Sequence, residues 1–262
     1  MIGTNSVKQK LHAGQPVFGA FVKFADPAAV ELLGIAGYDF CVVDTEHAAF
    51  TRQNLVEIIR AATLHGMAPI IRTPSLARSG ILNALDSGAY GVQVPNIDTP
   101  EQARELIAAS LYAPEGQRGF SPTTRAAGYG TIPAVEYPKL ANTNVLTVAH
   151  CETKTGAENL DEILKIEKLD TVFIGPMDMS QSFGLIGQTQ HPTVKNCIET
   201  AIKKIHAAGK AAGIICAPGK VDYYYNLGIR YFLLGGDQGF MASAAKKALA
   251  TAAEQCSEEA LS

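Results

Sequence analysis

FCVVDTEHAAFTRQNLVEIIRAATLHGMAPIIRTP, residues 40–74, holds the fold in miniature. An apolar run, FCVVD at 40–44, stops at an acid. A helical stretch, TRQNLVEIIRAATLHG, then returns the chain to a second run, APIIR at 68–72. The runs are rich in β-branched or aromatic residues, which reads as strand. They are apolar throughout rather than alternating, as suits parallel strands covered on the outside by helices. Thr51 before Arg52 supplies a helix N-cap, and Gly66 supplies a stop.

The same unit recurs on either side. FGAFV at 18–22 precedes it, and YGVQV (90–94), VLTVA (145–149), TVFIG (171–175), AGIIC (212–216) and YFLLG (231–235) follow. Between these runs lie the helical stretches DPAAVELLGIAG, RSGILNALDSG, TPEQARELIAAS and TGAENLDEILKIEK. Asp26 before Pro27 and Thr99 before Pro100 mark helix starts, while Gly37, Gly88 and Gly209 mark ends. Eight strands alternating with helices favour an α/β fold of the closed (β/α)8 TIM-barrel type; a doubly wound open sheet satisfies the same pattern. Two additions interrupt the rhythm. YAPEGQRGFSPTTRAAGYG (112–130) and a short helix near 133–141 separate strands four and five, and an extra helix over 192–208 precedes strand seven. With no linker or repeat in view, residues 1–262 read as a single barrel domain.

Composition narrows the function classes. A chain of 262 residues, 47% apolar and 18% charged with a net charge of −3, has an ordinary core and no basic footprint for nucleic acid. The N-terminal MIGTNSVKQKLHAGQ lacks an apolar signal region, and no stretch reaches the ~20 apolar residues of a membrane helix. The five cysteines are scattered and form no CxxC pair, which argues against a disulfide framework or zinc site. The expectation is a soluble cytoplasmic protein with small-molecule partners, no nucleic acid and no membrane.

In a barrel the chemistry sits where the strands end, at the C-terminal rim. Strand two ends in Asp44-Thr45-Glu46-His47 and strand three in Arg72. Strand five runs into His150-Cys151-Glu152, strand six into Gly175-Pro176-Met177-Asp178, and strand eight into Gly235-Gly236-Asp237. Charged groups seldom occupy such positions without partners or work. Glu152 and Asp178 end adjacent strands, so their carboxylates could converge on a hard cation that keeps waters and takes substrate oxygens; each could equally be a helix N-cap or first-turn acid. His47 follows Asp44 by three residues, where a carboxylate could orient the ring of a general base or acid. The alternative is a histidine bonded to a loop carbonyl. Arg72 could clamp a substrate carboxylate or an oxyanion, or form a structural ion pair with Asp44, Glu46 or Asp86. Strand alternation places His150 on the same side as Glu152. Cys151 and Cys216 read as packing residues, and Gly235-Gly236 as a tight turn or a weak phosphate-binding signal.

At these residues the sequence resembles the HpcH/HpaI aldolase family of the phosphoenolpyruvate/pyruvate barrel superfamily. That family includes aldolases of 4-hydroxy-2-oxoheptanedioate and 2-dehydro-3-deoxyglucarate. The resemblance rests on ADPAAVELLGIAGYDFCVVDTEHA (25–48), IIRTP (70–74), ALDSGAYGVQVPNIDTPEQA (84–103) and YAPEGQRG (112–119). It continues through RAAGYG (125–130), CETKTGAENLDEIL (151–164), VFIGPMDMS (172–180), HP (191–192) and GKAAGI (209–214). It implies a metal-dependent (class II) aldolase that cleaves or forms 4-hydroxy-2-oxo acids through a pyruvate enolate. On that resemblance His47 is the base, Asp86 the acid that raises its basicity, Arg72 the support for the enolate, and Glu152 and Asp178 the metal ligands. The implied cation is Mg²⁺ or Mn²⁺, with Co²⁺ as a third choice. The implied assembly is a homohexamer, or trimer of dimers, with exchanged C-terminal helices. Two positions depart from the family pattern: His150 stands where many members carry a substrate-contacting Gln, and Met177 where many carry Ala. Both are therefore expected at the substrate, together with Arg72 and Asp178. Three rivals stand beside this reading: a Schiff-base aldolase using Lys23, a CoA-thioester lyase of a related barrel, and a catalytically silent barrel that binds 2-oxo acids.

Overall fold

The eight apolar runs become eight parallel strands, paired in chain order and closed by β1 against β8. In the computed structural model, which describes residues 4–259, α1 (Ser6–His12) leads into β1 (Val17–Val22). Then come α2 (Pro27–Ile35), β2 (Phe40–Asp44), α3 (Arg52–Leu64), β3 (Ala68–Arg72), α4 (Arg78–Asp86) and β4 (Gly91–Val94). The middle of the chain forms α5 (Pro100–Ser110), α6 (Tyr137–Asn144), β5 (Leu146–Cys151), α7 (Lys154–Glu158), α8 (Leu160–Ile163), β6 (Thr171–Ile174) and α9 (Pro176–Ser182). It ends with α10 (Pro192–Ala207), β7 (Ala211–Ile215), α11 (Val221–Leu227), β8 (Ile229–Gly236) and α12 (Asp237–Glu259). The expected (β/α)8 barrel is what forms, and the open-sheet alternative is excluded by the β1–β8 pairing, Val17↔Tyr231 through Leu233↔Gly19. The one-domain expectation over 1–262 runs, at residues 1–3 and 260–262, outside the described residues.

The strands separate two apolar clusters. Inside the barrel lie Val17, Phe21, Phe40, Val42, Ala68, Ile70, Leu146, Val148, Phe173, Tyr231 and Leu233. Outside, strand residues such as Val43, Ile71 and Val92 pack against helix residues such as Ile58, Leu85 and Leu106. The barrel is therefore a packed core, not a pore. Phe40 stacks on Tyr231 with centroids 4.3 Å apart, and Phe173 meets Tyr231 edge-on. Glycines make room for these rings: a Cβ on Gly19 would stand 2.3 Å from the Phe40 ring, and one on Gly213 2.8 Å from Tyr231. At the base, α1 closes the barrel with Val7 and Leu11, and Asn5 donates to the carbonyls of Tyr90 and Asn144.

Helix boundaries follow local chemistry. Thr51 with Asn54, and Thr99 with Gln102, form reciprocal capping boxes. Asp26 caps α2 by accepting from the Ala28 N–H. The helix expected near 133–141 instead begins at Tyr137, because Pro138 lacks an N–H and belongs in a first turn. The single helix expected over 155–168 is two, α7 and α8, broken at Asn159, whose side chain donates to the Asp98 carbonyl.

Candidate active site

Alternation along each strand carries the site. Inward positions climb two residues at a time: Phe40, Val42, Asp44 on β2; Ala68, Ile70, Arg72 on β3; Leu146, Val148, His150 and then Glu152 from β5. The lower positions are apolar and the top positions ionisable, so the polar groups collect where the barrel opens.

One half of the rim is a clamp. Arg72 donates Nε to Asp44 Oδ1 at 2.9 Å and a terminal nitrogen to Oδ2 at 2.6 Å, a bidentate pair that fixes the guanidinium plane. Its other terminal nitrogen lies 3.3 Å from Glu46 Oε2, and the guanidinium carbon rests 4.6 Å over the Phe21 ring. Lys23 Nζ stands 3.3 Å from Asp44 Oδ2. Burial alone would raise the Asp44 carboxyl, but the bonds and charge of Arg72, the His47 N–H and the Lys23 ammonium hold it below the usual carboxylate range. Glu46 goes the other way: burial pushes it up, ahead of the opposing charges of Arg72 and His47.

The other half is a pair of acids round a gap. Glu152 is buried; Oε1 accepts from the Asn96 N–H at 2.9 Å, and Oε2 lies 2.7 Å from His150 Nδ1. Burial would raise this carboxyl too, and His150, the Asn96 N–H and the charge of Arg72 together hold it low and ionised. Gly175 sits between Glu152 and Asp178. A Cβ there would stand 2.8 Å from Glu152 Oε2 and 3.5 Å from Asp178 Oδ2, so both oxygens face the one space that the glycine leaves open. Asp178 lies exposed in the first turn of α9, whose N-cap is Gly175; it is a first-turn acid and makes no side-chain cap bond. Among the described residues no three His, Cys, Asp or Glu side chains gather as a ready-made metal site. Two hard carboxylate oxygens round an open gap nevertheless fit an octahedral cation that keeps waters and takes substrate oxygens.

Several expectations need correction. Within one chain Asp86 ends α4, where its carboxylate is held by Arg118 at 2.8 Å and not by the His47 ring. The reason is topological, since the helix after β3 carries the chain back from the rim to the base. Asp44 does not orient the His47 ring either. Its oxygens serve Arg72, Lys23 and the backbone N–H groups of Glu46 and His47. The acid nearest the exposed His47 ring is Glu46, with Oε2 at 3.7 Å from Nε2. Met177, next to Asp178 in the first turn of α9, is exposed at the rim. Asp237, at the end of β8, is structural: Oδ2 accepts from the N–H groups of Lys23 and Phe24 and pins the loop after β1. Burial pushes the Cys151 thiol up to about 12, in keeping with packing rather than nucleophilic chemistry.

Two residues of the site escaped the sequence reading. Gln93 Nε2 lies 2.7 Å from His150 Nε2, and Tyr231 donates its hydroxyl to Gln93 Oε1 at 3.0 Å. The available signal was one amide in the otherwise apolar run YGVQV.

Comparison with known proteins places this architecture. The profile of the family described as HpcH/HpaI aldolase/citrate lyase matches residues 17–225. The chain is 37% identical to a hydroxypyruvate/pyruvate aldolase of Deinococcus radiodurans, over 98% of this chain and 93% of the relative. It is 36% identical to a 2-keto-3-deoxy-L-rhamnonate aldolase of Escherichia coli, over 94% and 92% respectively. A crystal structure of an HpcH/HpaI aldolase/citrate lyase family protein from Burkholderia cenocepacia superposes with a TM-score of 0.90 at 28% identity, covering 95% of this chain and 99% of that one.

Proposed function

Because the chain belongs to the HpcH/HpaI aldolase/citrate lyase family and is a carbon–carbon lyase of the pyruvate aldolase type, we propose that its rim binds a 2-oxo acid between the Arg72 clamp and the Glu152–Asp178 gap. The observation that carries this reading is the shared space at Gly175, which the carboxylate oxygens of Glu152 and Asp178 both face, with the charge of Arg72 acting on Glu152. Glu152 and Asp178 would hold a divalent cation, Mg²⁺, Mn²⁺ or Co²⁺. When bound, it supplies positive charge for the carboxylate and keto oxygens of the substrate and for the oxyanion of the enolate.

This chain's own residues do the rest. In cleavage, His47 takes the proton of the 4-hydroxyl, the C3–C4 bond breaks, an aldehyde leaves, and the electron pair becomes a pyruvate enolate. Arg72, held in one orientation by Asp44, presents its charge to the enolate oxygen at no cost in reorganisation. Protonation at C3 then releases pyruvate; condensation runs the same steps backwards. Within one chain Glu46, between the His47 ring and Arg72, is the acid that supports charge on His47. Lys23 is ill suited to a Schiff base, because its Nζ is paired with Asp44 and partly exposed, whereas a lysine nucleophile sits in a desolvated pocket.

The assembly is part of the same proposal. Every residue of α12 from Met241 to Cys256 is exposed, Met241 and Leu249 among them, while Leu32, Ile35 and Leu64 lie bare on α2 and the end of α3. A 23-residue helix with so little to pack on suits exchange between subunits of a homo-oligomer, a hexamer built as a trimer of dimers. No helix among the described residues is long and apolar enough to cross a membrane, and the cytoplasm is the proposed location.

The test is pyruvate release from a panel of 4-hydroxy-2-oxo acids, with EDTA and then with Mg²⁺ or Mn²⁺ restored. Activity that vanishes on chelation and returns with metal supports the reading. Activity indifferent to EDTA, with a borohydride-trapped adduct on Lys23, sinks it.

A further inference from the structure

His150 was expected to touch substrate, yet it is 1% exposed and both ring nitrogens are engaged inside the barrel. The bonds round it run in one direction. A tyrosine hydroxyl meeting the Gln93 carbonyl oxygen acts as donor, so the Gln93 amide nitrogen faces His150 Nε2 and donates there. With Nε2 accepting, the ring proton sits on Nδ1 and points at Glu152 Oε2, 2.7 Å away. Asn96 N–H holds the other carboxylate oxygen at 2.9 Å, so Glu152 is fixed at both ends while the side toward Gly175 stays open.

Buried polar groups in an apolar barrel are costly unless each is satisfied. Gln93, His150 and Tyr231 are all buried, and packing holds them still: Phe40 stacks on Tyr231, and Phe173 lies 4.9 Å from the His150 ring. A core filled with leucine would be simpler. A connected line of donors ending at one carboxylate is what a pre-aimed metal ligand requires.

We propose that Tyr231, Gln93 and His150 form a directional hydrogen-bond relay whose work is to position Glu152 for the divalent cation. His150 is then a positioning residue that never meets the substrate. The inference rests on the metal-dependent reading of the Gly175 gap, and the test separates the two.

Mn²⁺ binding to the full-length protein and its variants is measured by titration calorimetry, with circular dichroism as the check on folding. His150→Phe keeps the ring packed on Phe173 and removes both nitrogens; its Kd for Mn²⁺ is expected to rise about 10–100-fold. His150→Asn leaves an amide N–H close to the place of Nδ1 and is expected to recover most of that loss, which a purely space-filling role would not do. Tyr231→Phe keeps the stack on Phe40, frees the Gln93 amide to turn over, and is expected to weaken Mn²⁺ several-fold. If His150→Phe does not fold, Tyr231→Phe decides. Folded His150→Phe or Tyr231→Phe protein that binds Mn²⁺ as tightly as the wild type overturns the relay. Wild-type protein that binds no Mn²⁺ overturns the metal reading itself, and the relay with it.

Discussion

At the base of the barrel, Asp170 accepts from Lys8, from His12 and from both the hydroxyl and the N–H of Thr147. At the rim, the carboxylate of Asp178 is exposed and accepts no hydrogen bond from another described residue. Both acids stand next to β6, one before the strand begins and one after it ends. The base also opens into a cavity of about 950 Å³ lined by Lys8, Asp170, Lys210 and Arg230, so neither charge nor hollow space distinguishes the two ends. Saturation does. Lys210 donates to the carbonyls of Ile166 and Leu169, and Arg230 to those of Gly14, Tyr225 and Ile229. Around Asp170 the charged groups consume one another, although Thr171 Oγ1 beside it and two nitrogens of Arg118 are buried without a hydrogen-bond partner among the described residues; at the rim Asp178, His47 and one side of Glu152 are left facing outward.

The comparison can be broken, and the largest effect belongs to the rim. Glu152→Gln should lower kcat on the order of 10³-fold, since it removes a charge from the proposed cation site that supplies several kcal/mol. Steady-state kinetics at saturating Mn²⁺ check this, and full activity in the variant would end the assignment. Arg72→Ala should follow with about 10²–10³ in kcat, roughly 3–4 kcal/mol, in protein that still folds; unfolding with undiminished turnover in the surviving fraction would make the Asp44–Arg72 pair structural, like those of the base.

Asp170→Asn should do the reverse. Stripping the acid from Lys8 in a buried network should cost about 3 kcal/mol in chemical denaturation and leave kcat unchanged. Lost turnover in folded protein would mean that the base takes part in the reaction. Acid titration sharpens the point. Burial alone would raise Asp170, but His12, Lys8 and Thr147 hold it below its ordinary value. Its contribution is therefore complete above the unfolded carboxyl value of about 3.9 and fades as pH falls through the lower folded value. Urea melts of the wild type should weaken over that acid range, and Asp170→Asn should weaken less steeply. His12→Ala, which removes an exposed partner, should cost no more than ~1 kcal/mol.

Much of this was legible in the chain. The eight runs announced the strands because parallel strands between helices are apolar on both faces, and the inward step of two placed Asp44, Arg72, His150 and Glu152 at the mouth. The place of Asp86 within the chain was not legible, because its side chain says nothing about which end of the barrel α4 delivers it to. His150 was seen as a neighbour of Glu152, but its second partner was not.

What sequence alone determined was local: periodicity, caps, stops and the charged residue that ends each strand, all set by contacts within a few positions. Tertiary structure decided which of those charges would be spent on one another. Gln93 lies 57 residues from His150 and 138 from Tyr231, and closure of the barrel brings the three to its axis. The Asp44 side chain is likewise committed to Arg72, 28 residues away, and to nearby backbone N–H groups rather than to the His47 ring. Hydrogen bonds are directional and satisfied over about 3 Å, so the partner is chosen by where the strands register, which no local pattern encodes.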